Sequence, residues 1–202
     1  VRLIDQPFTV EQKQSNTYIF KLQETLNNRR NLLRCRQIEA IEATITMLRK
    51  NIFSGLIKLP TGTGKTRLFA EMSGALDLST LVLIPRVSLF RDTQIEFENL
   101  KKEGIISPDY YIQTIGGENK GSSSDQLKSI LLAIDDNKPG VIVCTYQSLD
   151  SIAKSNPELF ELLIHKIDLL VSDEAHRSLG KKTKKHIKVL SETERINTTR
   201  IS

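Results

Sequence analysis

Five short apolar runs, each ending in a polar tip, constrain this chain more than any other feature. The runs are SGLIKLP (54–60), LVLIP (81–85), YYIQTI (110–115), VIVCT (141–145) and IDLLVS (167–172). The tips that close them are PTGTGKT, PR, GG, TYQS and DEAH. Between the runs, apolar residues recur at helical spacing: Ile38, Ile41, Ile45 and Leu48, then Leu127, Ile130, Leu131 and Ile134. Arg67 to Leu76 and Ser88 to Lys102 also read as helices, and Pro157 suits the first turn of another. A basic helix is expected from Thr183 to Leu190 and a final strand over 195–202. Strands that are apolar throughout are buried on both faces, so the alternation predicts a parallel sheet between two helical layers. Ligands of such sheets bind at the carboxyl ends of the strands, where the polar tips stand. The first 16 or so residues are polar and weakly patterned, and they read as an arm or an irregular segment.

The chain has 202 residues, 39% hydrophobic and 26% charged, which is ordinary globular composition and enough for one domain. No stretch approaches the ~18 apolar residues of a membrane span, and no leader resembling a signal peptide opens the sequence. The two cysteines, Cys35 and Cys144, lack CxxC spacing. That argues against a zinc site or a disulfide framework and suits a reducing cytoplasm. The first residue is Val, so the sequence reads as a possible fragment of a longer chain. Of the net charge of +5, the excess lies between Arg177 and Arg200, where eight Lys and Arg face two Glu. Such a cluster is either a solvated helix face or a contact for nucleic-acid phosphates.

LPTGTGKT (59–66) sits between a strand and a helix. Gly62 and Gly64 let the backbone turn and aim its N–H groups inward, and the helix N-terminus adds partial positive charge. With Thr61 and Thr63 they form a cradle for phosphates. Lys65 supplies a point charge for the β- and γ-phosphates, and the Thr66 hydroxyl suits Mg²⁺. Leu59 replaces the first Gly of the full GxxxxGK[ST] pattern. The second signal is Asp173-Glu174-Ala175-His176 at the end of an apolar run. A carboxylate at the tip of a buried strand calls for a cation, so Asp173 is the second Mg²⁺ candidate. Glu174 is suited to polarise the water that attacks the γ-phosphate, and His176 to hydrogen-bond neighbouring catalytic groups.

These two motifs together resemble superfamily 2 helicases and translocases of the DEAD/DEAH class, most of all the restriction-enzyme (type I and III) branch. The resemblance covers most of the chain. It implies an α/β fold of the RecA-like kind: a P-loop NTPase sandwich of three layers around a mostly parallel sheet. The domain would run over 31–202, after an arm and helical lead-in at 1–30. Arg34 and Gln37 look like the family's adenine-reading R-x-x-Q element, although Cys35-Arg36 stand where relatives have Pro-Tyr; a plain polar helix start is the alternative. Pro85-Arg86 resembles motif Ia, Gly116-Gly117 the glycine pair that admits a nucleic-acid backbone, and Thr145 the phosphate contact of motif Ic. Near motif III, Thr198 or Thr199 stands in, with Arg200 where Ala is usual.

The resemblance further implies ATP and Mg²⁺ as ligands and nucleic acid as partner, DNA favoured over RNA. It implies a second RecA-like domain, not contained in this sequence, without which hydrolysis would be weak or absent. Restriction-modification or other subunits are further possible partners. The alternative is a regulatory module that holds nucleotide or nucleic acid without motor activity.

Overall fold

The computed structural model describes residues 10–60, 62–116, 122–133, 138–173 and 197–201. Two helices open it, α1 (Val10–Arg29) and α2 (Cys35–Arg49). Strand β1 (Ser54–Ile57) leads through the Gly-rich turn into α3 (Lys65–Leu76). Then come β2 (Thr80–Ile84), a single 3-10 turn, α4 (Phe90–Lys102) and β3 (Tyr111–Ile115). Helix α5 (Ser123–Ala133), β4 (Gly140–Thr145), α6 (Tyr146–Ser155), α7 (Pro157–Lys166), β5 (Leu169–Asp173) and β6 (Asn197–Ile201) follow. The six strands form one sheet in the order β1-β6-β5-β2-β4-β3, and every pairing is parallel. The expected basic helix at 183–190 lies outside the described residues.

Alternation within the strands explains the layers. In β2, Val82 and Ile84 join a core built with α1 to α4, while Leu81 and Leu83 join one built with α5 to α7. Val141 and Val143 of β4 face the first core, and Ile142 and Cys144 the second. Successive side chains of a strand point to opposite faces, so a strand covered on both sides must be apolar throughout. On the first side, Phe69, Phe97 and Tyr110 pack ring to ring, with centroids 6.3 and 5.9 Å apart.

Two expectations are corrected. The segment read as an arm up to residue 16 is helical from Val10. Its pattern is weak because few of its residues are buried: Ser15, Leu22 and Leu26. Tertiary contacts hold it instead. Ser15 donates to the Leu48 carbonyl at 2.6 Å, and Lys21 reaches the Leu76 carbonyl and the Asp77 carboxylate at the C-terminus of α3. There a cation meets the negative end of the helix dipole. The second correction is α6, which begins directly at the TYQS tip, ahead of the helix expected from Pro157.

Among the described residues no helix is long and apolar enough to cross a membrane. Both cysteines are free; Cys35 is exposed and Cys144 fully buried, where burial pushes its thiol well up. The thiolate is the reactive form, so Cys144 is inert in the fold. Titration with an aromatic disulfide reagent will therefore find one thiol in the native protein and two after denaturation.

Candidate nucleotide site and strand-tip edge

Strand register brings the polar tips to one level. Ile57 pairs with Ile201, and Ile201 with Asp173. Leu83 pairs with Ser172, so Ile84 stands beside Asp173, and Ile84 in turn pairs with Thr145. Ile115 pairs with Cys144, so Gly116 follows beside Thr145. One row therefore crosses the sheet at its carboxyl edge, from the start of the Gly-rich turn to Gly116. Residues aligned across parallel strands face the same side. Ile57 and Ile84 pack toward the first core, so Asp173 faces the layer that contains α3. Strands β1 and β5 are two spacings apart, which sets the turn and the carboxylate roughly 10 Å from each other at their bases.

The turn itself is fixed by its glycines. Gly62 and Gly64 have φ of 79° and 80°, in the left-handed region. At Gly64 a Cβ would also lie 2.7 Å from the Gln37 side-chain nitrogen, so both backbone angle and space demand glycine there. Around Gly62 a Cβ would meet nothing, so there only the backbone angle favours glycine. Thr63 donates its hydroxyl to the Pro60 carbonyl at 2.7 Å, which tightens the turn. Lys65 and Thr66 open α3, with the four N–H groups of its first turn at the same end.

Arg34 and Gln37 come directly against this turn. Arg34 donates to the Gly62 carbonyl at 2.6 Å, and the Gln37 amide nitrogen to the Gly64 carbonyl at 3.0 Å. The Gln37 amide oxygen accepts from the Arg34 backbone N–H at 2.9 Å. Gln37 is buried. Both carbonyls are thereby satisfied by α2 and its N-cap. Arg34 and Gln37 thus hold the Gly-rich turn in place.

Behind the turn, α3 is anchored by an ion cluster that no local sequence pattern reveals. Glu71, fully buried, accepts from Arg67 and from Arg29 of α1, both at 3.0 Å. Both arginines also reach Glu103, just past α4. The Arg67 guanidinium, helped by Arg29, keeps the Glu103 carboxyl below its usual range, and Glu103 raises Arg67 in return. Only the Arg67–Glu71 pair, one helical turn apart, has a sequence signal; Arg29 and Glu103 are too distant in the chain to announce themselves.

The remaining tips differ in exposure. Arg86 is exposed, beside the half-buried Pro85. Thr145 is nearly buried and caps α6: its hydroxyl accepts from the Ser148 N–H at 3.0 Å and donates to the Ser148 hydroxyl at 2.9 Å. Gly116 has φ of 105°, and a Cβ there would sit 2.4 Å from the Ser148 hydroxyl. Thr61, Gly117, Glu174, His176 and the basic residues from Arg177 to Arg195 lie outside the described residues.

The family described as the res subunit of type III restriction enzymes matches residues 30–199. The chain belongs to this family. Among solved structures, a hypothetical ATP-dependent RNA helicase from Sulfolobus tokodaii shares the fold, with a TM-score of 0.57 and 16% identity over 90% of this chain. The UvsW helicase from bacteriophage T4 does so with a TM-score of 0.55 and 20% identity over 83% of this chain. The match covers 49% and 51% of those two proteins, so this chain spans about half their length. A search of curated protein sequences finds no significant match. The res-family chain thus has the fold expected from its motifs, that of the first RecA-like domain of superfamily 2 helicases.

Proposed function

We propose that this domain binds Mg²⁺-ATP at residues 61–66 and, joined to a second RecA-like domain, hydrolyses it to move along nucleic acid, preferably DNA. The observation that carries the reading is the row that sets the Gly-rich turn and Asp173 at one edge of the sheet, facing one layer. The residues suit the ligand. A glycine turn that leads into a helix N-terminus offers backbone N–H donors to phosphate oxygens. Thr66 and Asp173 are hard oxygen donors, and Mg²⁺ typically takes one or two protein ligands together with substrate phosphates. Bound there, Mg²⁺ neutralises phosphate charge.

Lys65 holds the β- and γ-phosphates by charge. Glu174 takes a proton from the attacking water, and His176 positions the groups around it. Arg34 and Gln37 hold the turn, and their remaining hydrogen-bonding capacity serves the adenine edge. Pro85, Arg86, Gly116, Gly117 and Thr145 line the path of the nucleic-acid backbone, and Lys181 to Lys188 add phosphate contacts. The second domain closes over the γ-phosphate, so the domain by itself binds ATP but turns it over slowly.

Steady-state ATP hydrolysis tests this, on the domain alone and joined to a second RecA-like domain, with duplex DNA or single-stranded RNA. The joined protein is expected to turn over ATP, faster with DNA. Glu174→Gln should leave ATP affinity within about twofold and lower turnover by about 10²–10⁴-fold, the usual worth of a general base. ATP binding without turnover in the joined protein would support the regulatory module instead.

A further inference from the structure

The tip of β4 and the tip of β5 are joined by one hydrogen bond. The Tyr146 hydroxyl donates to the main-chain carbonyl of Asp173 at 2.8 Å. Tyr146 is the first residue of α6, and its ring is buried in the second core with Leu149 and Ile152. The carbonyl it holds belongs to the peptide that leads into Glu174. Orientation of that peptide sets the direction in which the chain leaves Asp173 toward Glu174, because a peptide is planar and rotates as a unit.

We infer that Tyr146 is a positioning residue that couples the nucleic-acid edge of the domain to its nucleotide site. This rests on the proposed function above. On one side of Tyr146 stands Thr145, its hydroxyl locked to Ser148, and Ser148 lies against Gly116. The contacts Gly116, Ser148, Thr145, Tyr146 and Asp173 thus form a continuous path from the tip of β3 to the tip of β5. A phosphate drawn to the N-terminus of α6 displaces the first turn of that helix, and with it the phenol. The Asp173 peptide must follow or lose its donor.

The end of β5 also holds a polar group that its present arrangement leaves unsatisfied. Ser172, one residue before Asp173, is fully buried, and its hydroxyl has no hydrogen-bond partner among the described residues. Strand alternation from Leu170 turns it toward the second core, the side on which Tyr146 packs. A buried hydroxyl without a partner is costly, so a rearrangement that engages it is favoured by the same term. Coupling of two sites requires an element with two arrangements that each site biases; here it would be this strand end, with the Ser172 hydroxyl unpartnered in one and engaged in the other. Linkage is reciprocal: whatever nucleic acid does to nucleotide affinity, nucleotide does to nucleic-acid affinity by the same factor.

The test is an affinity cycle on this chain. Binding of a non-hydrolysable Mg²⁺-ATP analogue is titrated with and without saturating duplex DNA, for wild type, Tyr146→Phe and Gln147→Ala. Phenylalanine keeps the buried ring and removes only the hydroxyl; Gln147 is the solvent-facing neighbour and serves as control. Wild type and Gln147→Ala are expected to show nucleotide affinity changed by DNA at least fivefold. In Tyr146→Phe the two affinities should agree within twofold, while affinity without DNA stays near wild type. A purely structural role would lower the melting temperature and leave the ratio intact, and that result overturns the inference. So does a ratio near one in wild type when both ligands bind. Absence of nucleotide binding in wild type overturns the proposed function itself, and the coupling with it.

Discussion

Replacing Lys65 by alanine will weaken binding of Mg²⁺-ATP by roughly 100-fold, because a charge-assisted contact to phosphate is worth up to ~3 kcal/mol and each 1.4 kcal/mol is tenfold. Within residues 62–66 it is the one ionisable side chain. The fold will not suffer: Lys65 stands at the open end of α3 and is not part of either core. Calorimetric titration of ATP into wild type and variant, with melting curves of both, gives the comparison. Equal affinities would remove the phosphate assignment from this turn, however well its glycines fit.

The second large effect is on stability. Glu71→Ala will destabilise the domain by about 3 kcal/mol, at the low end of the 3–5 kcal/mol found when a buried ion pair loses one member. The low end applies because Glu103 continues to neutralise Arg67 and Arg29. For a domain of this size that corresponds to a fall in melting temperature of roughly 6–12 °C. Both arginines would keep their charge beside a pocket emptied of its carboxylate. Glu71 also has one buried oxygen without a hydrogen-bond partner among the described residues, so the wild-type cluster is itself not fully satisfied. Denaturant unfolding of Glu71→Ala and Glu71→Gln separates the two costs, since glutamine keeps the volume and one acceptor. A loss under 1 kcal/mol for alanine would show that Glu103 alone neutralises the arginines.

The sheet was legible in the sequence because burial on both faces leaves a strand no freedom of composition. Each apolar run marked a strand within one to three residues, and the polar tips marked the carboxyl edge of the sheet. The phosphate turn was legible for a related reason: Gly64 is required twice over, by its φ and by Gln37. What could not be read depends on contacts between distant segments. Helix α1 has a thin apolar face, and its place is set by Ser15, Lys21 and Arg29 reaching residues far along the chain. The resemblance implies adenine reading for Gln37, with a plain polar helix start as the alternative; its hydrogen bond to the Gly64 carbonyl could not be read, because it depends on how α2 stands beside the turn. Helix α6 was hidden by its first turn. That turn, TYQS, reads as a polar strand tip, and the contact that fixes Tyr146, with the Asp173 carbonyl, lies far along the chain.

Strand order also sets the time at which the domain becomes competent. The Gly-rich turn follows β1 and the carboxylate follows β5, but these strands do not touch; β6 lies between them. That strand, Asn197–Ile201, follows both of them in the sequence and is the last described element. During synthesis both halves of the site leave the ribosome well before the strand that joins them. Until it inserts, β1 and β5 each present an unpaired parallel edge, the kind of surface that recruits other chains. Insertion between two waiting strands is a non-local, late event, and such events are slow. The proposed capacity to hold nucleotide should therefore arrive in one step, when β6 inserts, rather than grow as the motifs are made.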